Sequence, residues 1–512
     1  MRFPRASGVL LHPTSLPGPH GSGDFGAAAR HFVDWLVSAG QKLWQVLPLT
    51  GIGPGNSPYM SNSAFAGNPL LVDLGELQQQ GWLDATDLEP TPALQAARID
   101  FAAVHPYRME RLARAARRFA EQGSAEQRAD FERFRLEHAD WLDDYTLFMA
   151  LCEQHGWQDW WLWDAPLARR EPAALAAARQ ALAARTGFWA FSQWRFFRQW
   201  AALKAYANGR GVQIIGDAPI FLAALSAEVW ADPHLFELDA TGRPSVVAGV
   251  PPDYFSATGQ RWGNPLYRWS EHARDGYAWW VRRVRRAFEL VDILRIDHFR
   301  GFAGYWEIPA DEPTAVHGRW QPGPGEALFE AIAKALGPLP IVAEDLGVIT
   351  PEVKALRDGL GLPGMKILQF AFDFNAKNEY LPHNIETPNC LLYTGTHDNN
   401  TTNGWFYGTE LSDDARAYVM EYIGSERFND FHWQLIRLAY MSVARLVIVP
   451  VQDMLGYGHE FRMNTPGTAH GNWGWKLVPD AITDEMVARI ARMTALYNRA
   501  AEVEESARNG RD

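Results

Sequence analysis

Eight short apolar runs are the feature that most constrains the fold of this 512-residue chain. Helical patterns, such as YAWWVRRVRRAFELV and GEALFEAIAKALG, separate many of these runs. Strands that alternate with helices predict a parallel sheet. The runs are GVLLHPTSL from Gly8, KLWQVLPLTG from Lys42, VQIIGDAPIF from Val212, DILRIDHFRG from Asp292, PIVAEDLG from Pro340, MKILQFAF from Met365, CLLYTGTHDN from Cys390 and RLVIVPVQDM from Arg445.

Eight strands of this kind predict an α/β fold, a (β/α)8 TIM barrel. A doubly wound open sheet is the alternative if some of the runs are not strands. The interval between the second and third runs is too long for one crossover and carries Ala-rich amphipathic patterns. We therefore predict a large, mainly helical inserted subdomain at 76–205. The catalytic barrel, with its active-site loop insertions, then comprises 1–75 and 206–505.

The composition disfavours several classes of protein. The chain has 48 Lys and Arg against 60 Asp and Glu, a net charge of −12, which disfavours binding to nucleic acid or anionic membrane surfaces. It has no uninterrupted apolar run of about 18 residues and no secretory h-region, so we predict no membrane span and a cytoplasmic location. Cys152 and Cys390 are far apart in sequence and imply no disulfide framework.

Polar residues at the ends of the predicted strands are the candidates for chemistry, because the active site of a TIM barrel lies where its strands end. Four carboxylates follow four different runs: Asp217, Asp297, Glu344 and Asp398. Their polar neighbours in sequence or across the barrel are Arg295, His298, Gln369, His397 and Gln452. One such carboxylate alone would be explained as a helix cap, but capping does not account for all four.

Two kinds of chemistry use clustered carboxylates. Metal-assisted hydrolysis is disfavoured because we find no HxH, HExxH or carboxylate-dense ligand loop, and because His397 and Asp398 on a strand would point to opposite sides. Retaining glycosyl transfer needs an ionised nucleophile and a protonated acid about 5–5.5 Å apart. Arg295 would lie on the same side of a strand as Asp297 and keep it charged, while the apolar approach to Glu344 would raise its pKa.

Two further features of the sequence have competing explanations. The segment GIGPGNSPY superficially resembles a phosphate loop but lacks its spacing, so we interpret it as a turn that displays Asn56, Ser57 and Tyr59 over the barrel mouth. The 22 Trp either fill the core or stack on flat ligand faces such as sugar rings. The tract WQDWWLWDAPLARR is predicted to pack the insertion onto the barrel.

Seven motifs, spread in order over nearly the whole chain, resemble those of the amylomaltases. These are 4-α-glucanotransferases, also called disproportionating enzymes, of the α-amylase clan of (β/α)8 enzymes. The resemblance implies transfer of α-1,4-glucan segments between maltooligosaccharides or starch-like glucans, with release of glucose and without a cofactor or metal. The motifs are SPYMSNSAFAGNPLL, GDAPIF, RWGNPLY, LRIDHFRGF, AEDLG, GTHDNNT and RMNTPGT.

The resemblance also implies a role for each motif residue. The nucleophile falls on Asp297, the general acid/base on Glu344, and the third carboxylate, which would bind ring hydroxyls of the distorted sugar, on Asp398. The residues matched to the surroundings of this sugar and the donor groove are Arg295, His298, His397, Tyr59, Asp217 and Asn464. Structural explanations remain for two of them: Asp217 could only support Arg295, and Asn464 could only form a turn.

The segment AGVPPDYFSATGQRWGNPLY resembles the mobile loop that closes over the active site in this family. Its Gly, Pro and Ser content suits a lid. The resemblance implies that Tyr254, Phe255, Gln260 and Trp262 contact the acceptor sugar. A closed lid would keep water from the intermediate and favour transfer over hydrolysis.

Three alternatives stay open on the sequence. The closest is an α-1,4-glucan hydrolase of the same clan, which would have the same catalytic residues and a wetter acceptor site. The second is an inactive carbohydrate-binding barrel, against which the intact Asp297, Glu344 and Asp398 argue. A phosphate-using barrel enzyme is the third, but this sequence lacks the Gly-rich phosphate-binding loops that such an enzyme would have after strands seven and eight. The oligomeric state is not predicted.

Overall fold

The computed structural model describes residues 3–252, 256–426 and 428–500. The strands are β1 (Ala6–Leu10), β2 (Leu43–Gln45), β3 (Gln213–Ala218), β4 (Val246–Val250), β5 (Gln260–Pro265), β6 (Ile293–Ile296), β7 (Gly304–Pro309), β8 (Arg319–Pro322), β9 (Ile341–Ala343), β10 (Gly364–Ile367), β11 (Cys390–Tyr393) and β12 (Leu446–Pro450). The α-helices are α1 (Ala27–Ser38), α2 (Leu74–Gln79), α3 (Phe101–Gln122), α4 (Ala125–Glu137), α5 (Ala139–Gln154), α6 (Ala165–Ala168), α7 (Pro172–Ala181), α8 (Ala183–Gly209), α9 (Ala227–Ala231), α10 (Trp269–Arg274), α11 (Ala278–Leu290), α12 (Glu326–Leu336), α13 (Pro351–Gly359), α14 (Thr402–Tyr407), α15 (Asp413–Ile423), α16 (Phe431–Met441), α17 (Val451–Met454) and α18 (Asp484–Leu496).

Eight parallel strands form the central sheet, in the order β10-β11-β12-β1-β2-β3-β6-β9. Each of the eight predicted runs contains or overlaps one of these strands. The two end strands, β9 and β10, lie beside each other, since the Ala343 N–H donates to the Pro363 carbonyl across a distance of 3.0 Å. The sheet is therefore nearly closed into a barrel. The predicted (β/α)8 fold is confirmed, and the open doubly wound sheet is wrong.

Burial on both faces explains why these strands appear in the sequence as continuous apolar runs. Every residue of β1, β6, β9, β11 and β12 is buried. In β12, the β-branched residues Val447, Ile448 and Val449 have no exposed surface and pair in register with Ser7, Gly8 and Val9 of β1. Branched side chains fit such a pleated, buried surface well.

A second, antiparallel sheet was not predicted from the sequence. Its strand order is β5-β4-β7-β8, and β4 pairs with both β5 and β7. Its strands are short, contain Gly or Pro, and alternate poorly between apolar and polar residues, so they carry a weak strand pattern. Part of the segment predicted as a lid, Gln260–Pro265, is the strand β5. The lid residues Tyr254 and Phe255 lie outside the described residues.

The interval between β2 and β3 holds the helices α2 to α8. Aromatic rings pack α3 against α8, with Phe119 and Trp194 centroids 5.1 Å apart. Trp160 donates to the Ala224 carbonyl at 3.1 Å, so its tract contacts the segment that follows β3, as predicted. The division at 76 and 205 stays a prediction, and both boundaries fall within helices, α2 and α8. Within the described ranges, no helix is long and apolar enough to cross a membrane.

Candidate active site

The ends of β3 and β6 hold three charged side chains in contact, of which two are buried. Arg295 Nη1 contacts both carboxylate oxygens of Asp217, at 2.6 and 2.7 Å. Its Nη2 lies 3.0 Å from Asp297 Oδ1. The side chains of Arg295 and Asp217 are 4% and 0% exposed. Buried charges need such pairing, and Arg295 lies on the same side as Asp297, as the strand spacing predicts. Burial raises the pKa of Asp297 to about 6, although the Arg295 charge pulls it down.

Glu344 follows β9 and is also buried, at 9% exposure. Its Oε2 accepts a hydrogen bond from the His298 N–H at 2.6 Å, and its Oε1 accepts one from the Leu346 N–H at 2.9 Å. Burial and, next, the charge of Asp297 raise the pKa of Glu344 to about 8, against the opposing effects of Arg295 and the two N–H donors. Near neutral pH Asp297 is thus mainly ionised and Glu344 mainly protonated. This separation is what a nucleophile and an acid require.

His298 connects the two carboxylates through an unusual backbone conformation. Its φ of 50° and ψ of 47° are left-handed, which costs a non-glycine residue about 1 kcal/mol or more. This conformation accompanies the hydrogen bond from its N–H to Glu344. Its buried Nε2 has no hydrogen-bond partner among the described residues. Burial lowers the pKa of His298 to about 3, so the ring is neutral and Nε2 is free to bond a ligand hydroxyl.

Tyr59 joins Asp217 to His397. Its hydroxyl donates to Asp217 Oδ2 at 2.7 Å and lies 2.9 Å from His397 Nε2. Because the hydroxyl has a single proton, His397 Nε2–H is the donor in the second contact. The two rings stack, with centroids 5.2 Å apart. Burial, and then the Asp217 charge, raise the pKa of Tyr59 well above its ordinary value, so the phenol remains neutral.

Asp398 is the more accessible carboxylate, with a side chain 45% exposed. Its Oδ1 accepts from Asn464 Nδ2 at 2.6 Å and lies 3.4 Å from His397 Nε2. The expectation that His397 and Asp398 would point apart on a strand is wrong. Strand β11 ends at Tyr393, and a turn brings both side chains together. No cluster of three or more His, Cys, Asp or Glu suited to a metal ion occurs in the described part of the chain.

Two of the predicted lid residues contact each other beside this site. Trp262 Nε1 donates to Gln260 Oε1 at 3.1 Å, and the Trp262 ring meets the His298 ring edge to face at 4.8 Å. Two other candidates from the sequence, Gln369 and Gln452, form hydrogen bonds to backbone carbonyls. Gln369 donates to the Asn400 carbonyl at 2.9 Å, and Gln452 donates to the Phe461 carbonyl at 3.4 Å.

Arg462 and Trp473 belong to the site but were not singled out from the sequence. Arg462 Nη2 donates to the Asp398 carbonyl at 2.6 Å. The Trp473 ring lies 5.8 Å from Tyr59 and 5.9 Å from His397, between centroids. Arg462 shares the RMNTPGT motif with Asn464, and that proximity was the available signal. Trp473 is one of 22 Trp and carried none.

Comparison with known proteins decides the family. A sequence model of the 4-alpha-glucanotransferase family matches residues 11–481. The chain belongs to this family. A 4-alpha-glucanotransferase from Thermus thermophilus is 52% identical over 98% of this chain and 100% of its own length. One from Synechocystis sp. is 48% identical over 97% of this chain and 98% of its own.

Solved structures agree with this 4-alpha-glucanotransferase assignment. Amylomaltase from Streptococcus agalactiae in complex with acarbose superposes with a TM-score of 0.94 and 41% identity, covering 97% of this chain and 100% of that one. Amylomaltase from Corynebacterium glutamicum gives a TM-score of 0.77 at 20% identity, covering 96% and 75%, and supports the fold alone. The predicted family and enzyme class are confirmed.

Proposed function

We propose that this chain transfers α-1,4-glucan segments between maltooligosaccharides or starch-like glucans by a retaining double displacement. Asp297 is the nucleophile and Glu344 the general acid/base. One observation carries the proposal: at the ends of two adjacent strands, the Asp297 carboxylate lies 3.0 Å from the Arg295 guanidinium, whereas the buried Glu344 accepts hydrogen bonds from two backbone N–H groups. A cation holds the first ionised, whereas burial keeps the second protonated.

In the first step Glu344 donates its proton to the glycosidic oxygen while Asp297 Oδ attacks the anomeric carbon. The bond between that carbon and the glycosidic oxygen breaks, and the shortened glucan leaves with the proton from Glu344. A covalent glucosyl-enzyme and a Glu344 carboxylate remain. Esterified Asp297 carries no charge, so the negative charge that raised the pKa of Glu344 is gone.

In the second step the Glu344 carboxylate removes the proton from the 4-hydroxyl of an acceptor glucan. The acceptor oxygen attacks the anomeric carbon and displaces Asp297. Two inversions restore the α linkage. The loss of the Asp297 charge suits this step. It lowers the pKa of Glu344, so the group that acted as an acid in the first step is ionised and acts as a base in the second.

The remaining residues position the sugar. Asp398, held by Asn464, is placed to accept hydrogen bonds from ring hydroxyls. His298 Nε2 has no partner within the described part of the chain and is placed to bond another hydroxyl. Tyr59, with His397 stacked on it, offers an aromatic face and a fixed hydroxyl. Asp217 acts through Arg295 and Tyr59, which it holds in place.

Transfer rather than hydrolysis requires that a sugar reach the intermediate before water does. Gln260 and Trp262, and with them Tyr254 and Phe255, are proposed to bind the acceptor. The S. agalactiae amylomaltase was solved in complex with acarbose, which supports a carbohydrate ligand for this chain. The hydrolase of the same clan is the competing function and differs only in water access.

We propose no cofactor, because two carboxylates suffice for the chemistry.

Incubation with purified maltotriose tests the proposal. We expect glucose together with a ladder of longer maltooligosaccharides, separated by chromatography. Asp297→Asn should abolish both, while Asp311→Asn, at an exposed site, should not. Glucose and maltose alone would establish the hydrolase instead. No products from a folded sample would refute the proposed activity.

A further inference from the structure

The barrel sheet has a seam between its end strands. In the described part of the chain β9 and β10 share no strand ladder, and a bond from the Ala343 N–H to the carbonyl of Pro363, just before β10, links them. In a regular parallel ladder, the next bond would run from the Met365 N–H to the Ala343 carbonyl. The Met365 N–H instead donates to Asp345 Oδ1, at 2.7 Å. A side-chain carboxylate thus continues the ladder.

The seam is built around this carboxylate. Asp345 is buried, with its side chain 3% exposed, and its Oδ2 accepts a hydrogen bond from Arg357 Nη1. Gly364 makes room for both groups. A Cβ there would lie 2.5 and 2.8 Å from the two Asp345 oxygens and 2.9 Å from Arg357 Nη1. No carbon approaches that closely without displacing one of them.

In sequence, Asp345 stands between the acid/base and one of the two residues that donate hydrogen bonds to it. Glu344 precedes it, and the Leu346 N–H that donates to Glu344 Oε1 follows it. Met365, the β10 residue that donates to Asp345, also contacts the cation beside the nucleophile. Its sulfur lies 3.4 Å from Arg295 Nε. Fixing the Asp345 side chain to β10 therefore fixes the backbone on both sides of the Glu344 carboxylate.

We infer that Asp345 is a positioning residue for the acid/base, acting through its bond to Met365 and its fit beside Gly364. This inference rests on the proposed role of Glu344. A positioning residue for an acid should matter where a leaving group must be protonated. A maltosyl fluoride donor provides the contrast, since fluoride leaves without a proton from Glu344.

The test measures two rates for each variant: turnover of maltotriose, and the single-turnover release of fluoride from maltosyl fluoride. For Asp345→Ala we expect maltotriose kcat to fall about 100-fold with KM nearly unchanged, and fluoride release to fall less than about 5-fold. Asp345→Asn keeps an oxygen acceptor for Met365 and should recover about 10-fold of the loss. Gly364→Ala, which alters neither carboxylate, should reproduce the Asp345→Ala pattern.

Gly187→Ala is the matched control, because this helical glycine has no neighbour within 4 Å of an added Cβ. It should leave both rates unchanged. Equal loss on both donors in Asp345→Ala and Gly364→Ala, or full maltotriose activity in either, would overturn the inference. Glu344→Gln is the reference: if it slows both donors alike, Glu344 is not the acid, and the proposed mechanism fails together with the positioning role. Gly364→Ala keeps the test valid if Asp345→Ala does not fold.

Discussion

The ends of β6 and β9 lie side by side and each carries a carboxylate, but the groups around the two differ in charge. The Asp297 side chain is 31% exposed, whereas Glu344 is buried. Asp297 has the Arg295 guanidinium at 3.0 Å. Glu344 accepts hydrogen bonds from two backbone N–H groups, which stabilise a carboxylate less than a full charge does. Burial raises both pKa values, and the neighbouring cation limits the rise at Asp297. The cation beside Asp297, together with the deeper burial of Glu344, therefore separates the two acids into a nucleophile and a proton donor.

Removing the nucleophile should have the largest effect on this comparison. Asp297→Asn cannot form the covalent intermediate, so we expect maltotriose turnover to fall about 10⁴-fold or more. Chromatography of the products measures it, with Asp311→Asn as the control. Activity within about tenfold of wild type would show that Asp297 is not the nucleophile.

Removing the cation should reduce the difference between the pKa values of Asp297 and Glu344. Arg295→Met removes the positive charge beside Asp217 and Asp297, so the pKa of Asp297 rises. The acid limb of kcat/KM should move above its expected position near 6, and kcat/KM at pH 6 should fall about 100-fold.

Arg295→Lys separates charge from geometry in the same experiment. It keeps the positive charge but loses the fork that contacts both Asp217 oxygens. We expect the acid limb to stay near that of wild type, with a loss of about 10-fold in kcat/KM. An unchanged acid limb in Arg295→Met would contradict the role given to the cation.

Asn464 tests the third, more exposed carboxylate. Asn464→Ala removes the amide that donates to Asp398 at 2.6 Å, and hydrogen bonds to charged groups contribute more than neutral ones. We expect kcat/KM for maltotriose to fall about 10-fold. Asn375→Ala, at an exposed position, is the control. If the two variants behave alike, Asn464 does not position Asp398.

The smallest expected effect is on stability. Because folding raises the pKa of Glu344 from 4.5 to about 8, the folded state holds a proton that the unfolded state loses, and stability falls as pH rises between those values. Glu344→Gln lacks this loss. Its free energy of unfolding should therefore fall less between pH 5 and pH 8 than that of wild type, by about 3 kcal/mol.

Urea denaturation at pH 5 and pH 8 measures the change in the free energy of unfolding for each protein. A loss of stability that is the same at both pH values does not affect this change. Glu330→Gln, at an exposed position of α12, should keep the pH dependence of wild type. The same dependence in Glu344→Gln would mean that folding does not raise the pKa of Glu344.

Much of this architecture could be predicted from the sequence, for physical reasons that also set the limits. The eight barrel strands are buried on both faces and therefore form unbroken apolar runs, and Asp297 and Glu344 stand directly after two of them. The antiparallel sheet could not be predicted, because strands such as Arg319–Pro322 are short and mostly exposed.

Contacts that depend on tertiary closure were equally out of reach. The turn after Tyr393 brings His397 and Asp398 to one side, and no local pattern indicates it. The seam between β9 and β10 joins Asp345 to Met365 across 20 residues, and only the closed barrel shows why Gly364 lies between them.

The most direct test of the central claim is to trap the intermediate. Glu344→Gln is mixed with a maltosyl fluoride that lacks its non-reducing 4-hydroxyl, so that the donor cannot also act as acceptor. Fluoride leaves without an acid, and no general base is present to complete the second step. Mass spectrometry of the intact protein and its peptides should show one deoxymaltosyl group attached to Asp297. An adduct on Asp398 or another residue, or rapid fluoride release with no adduct, would contradict the assignment of nucleophile and acid/base.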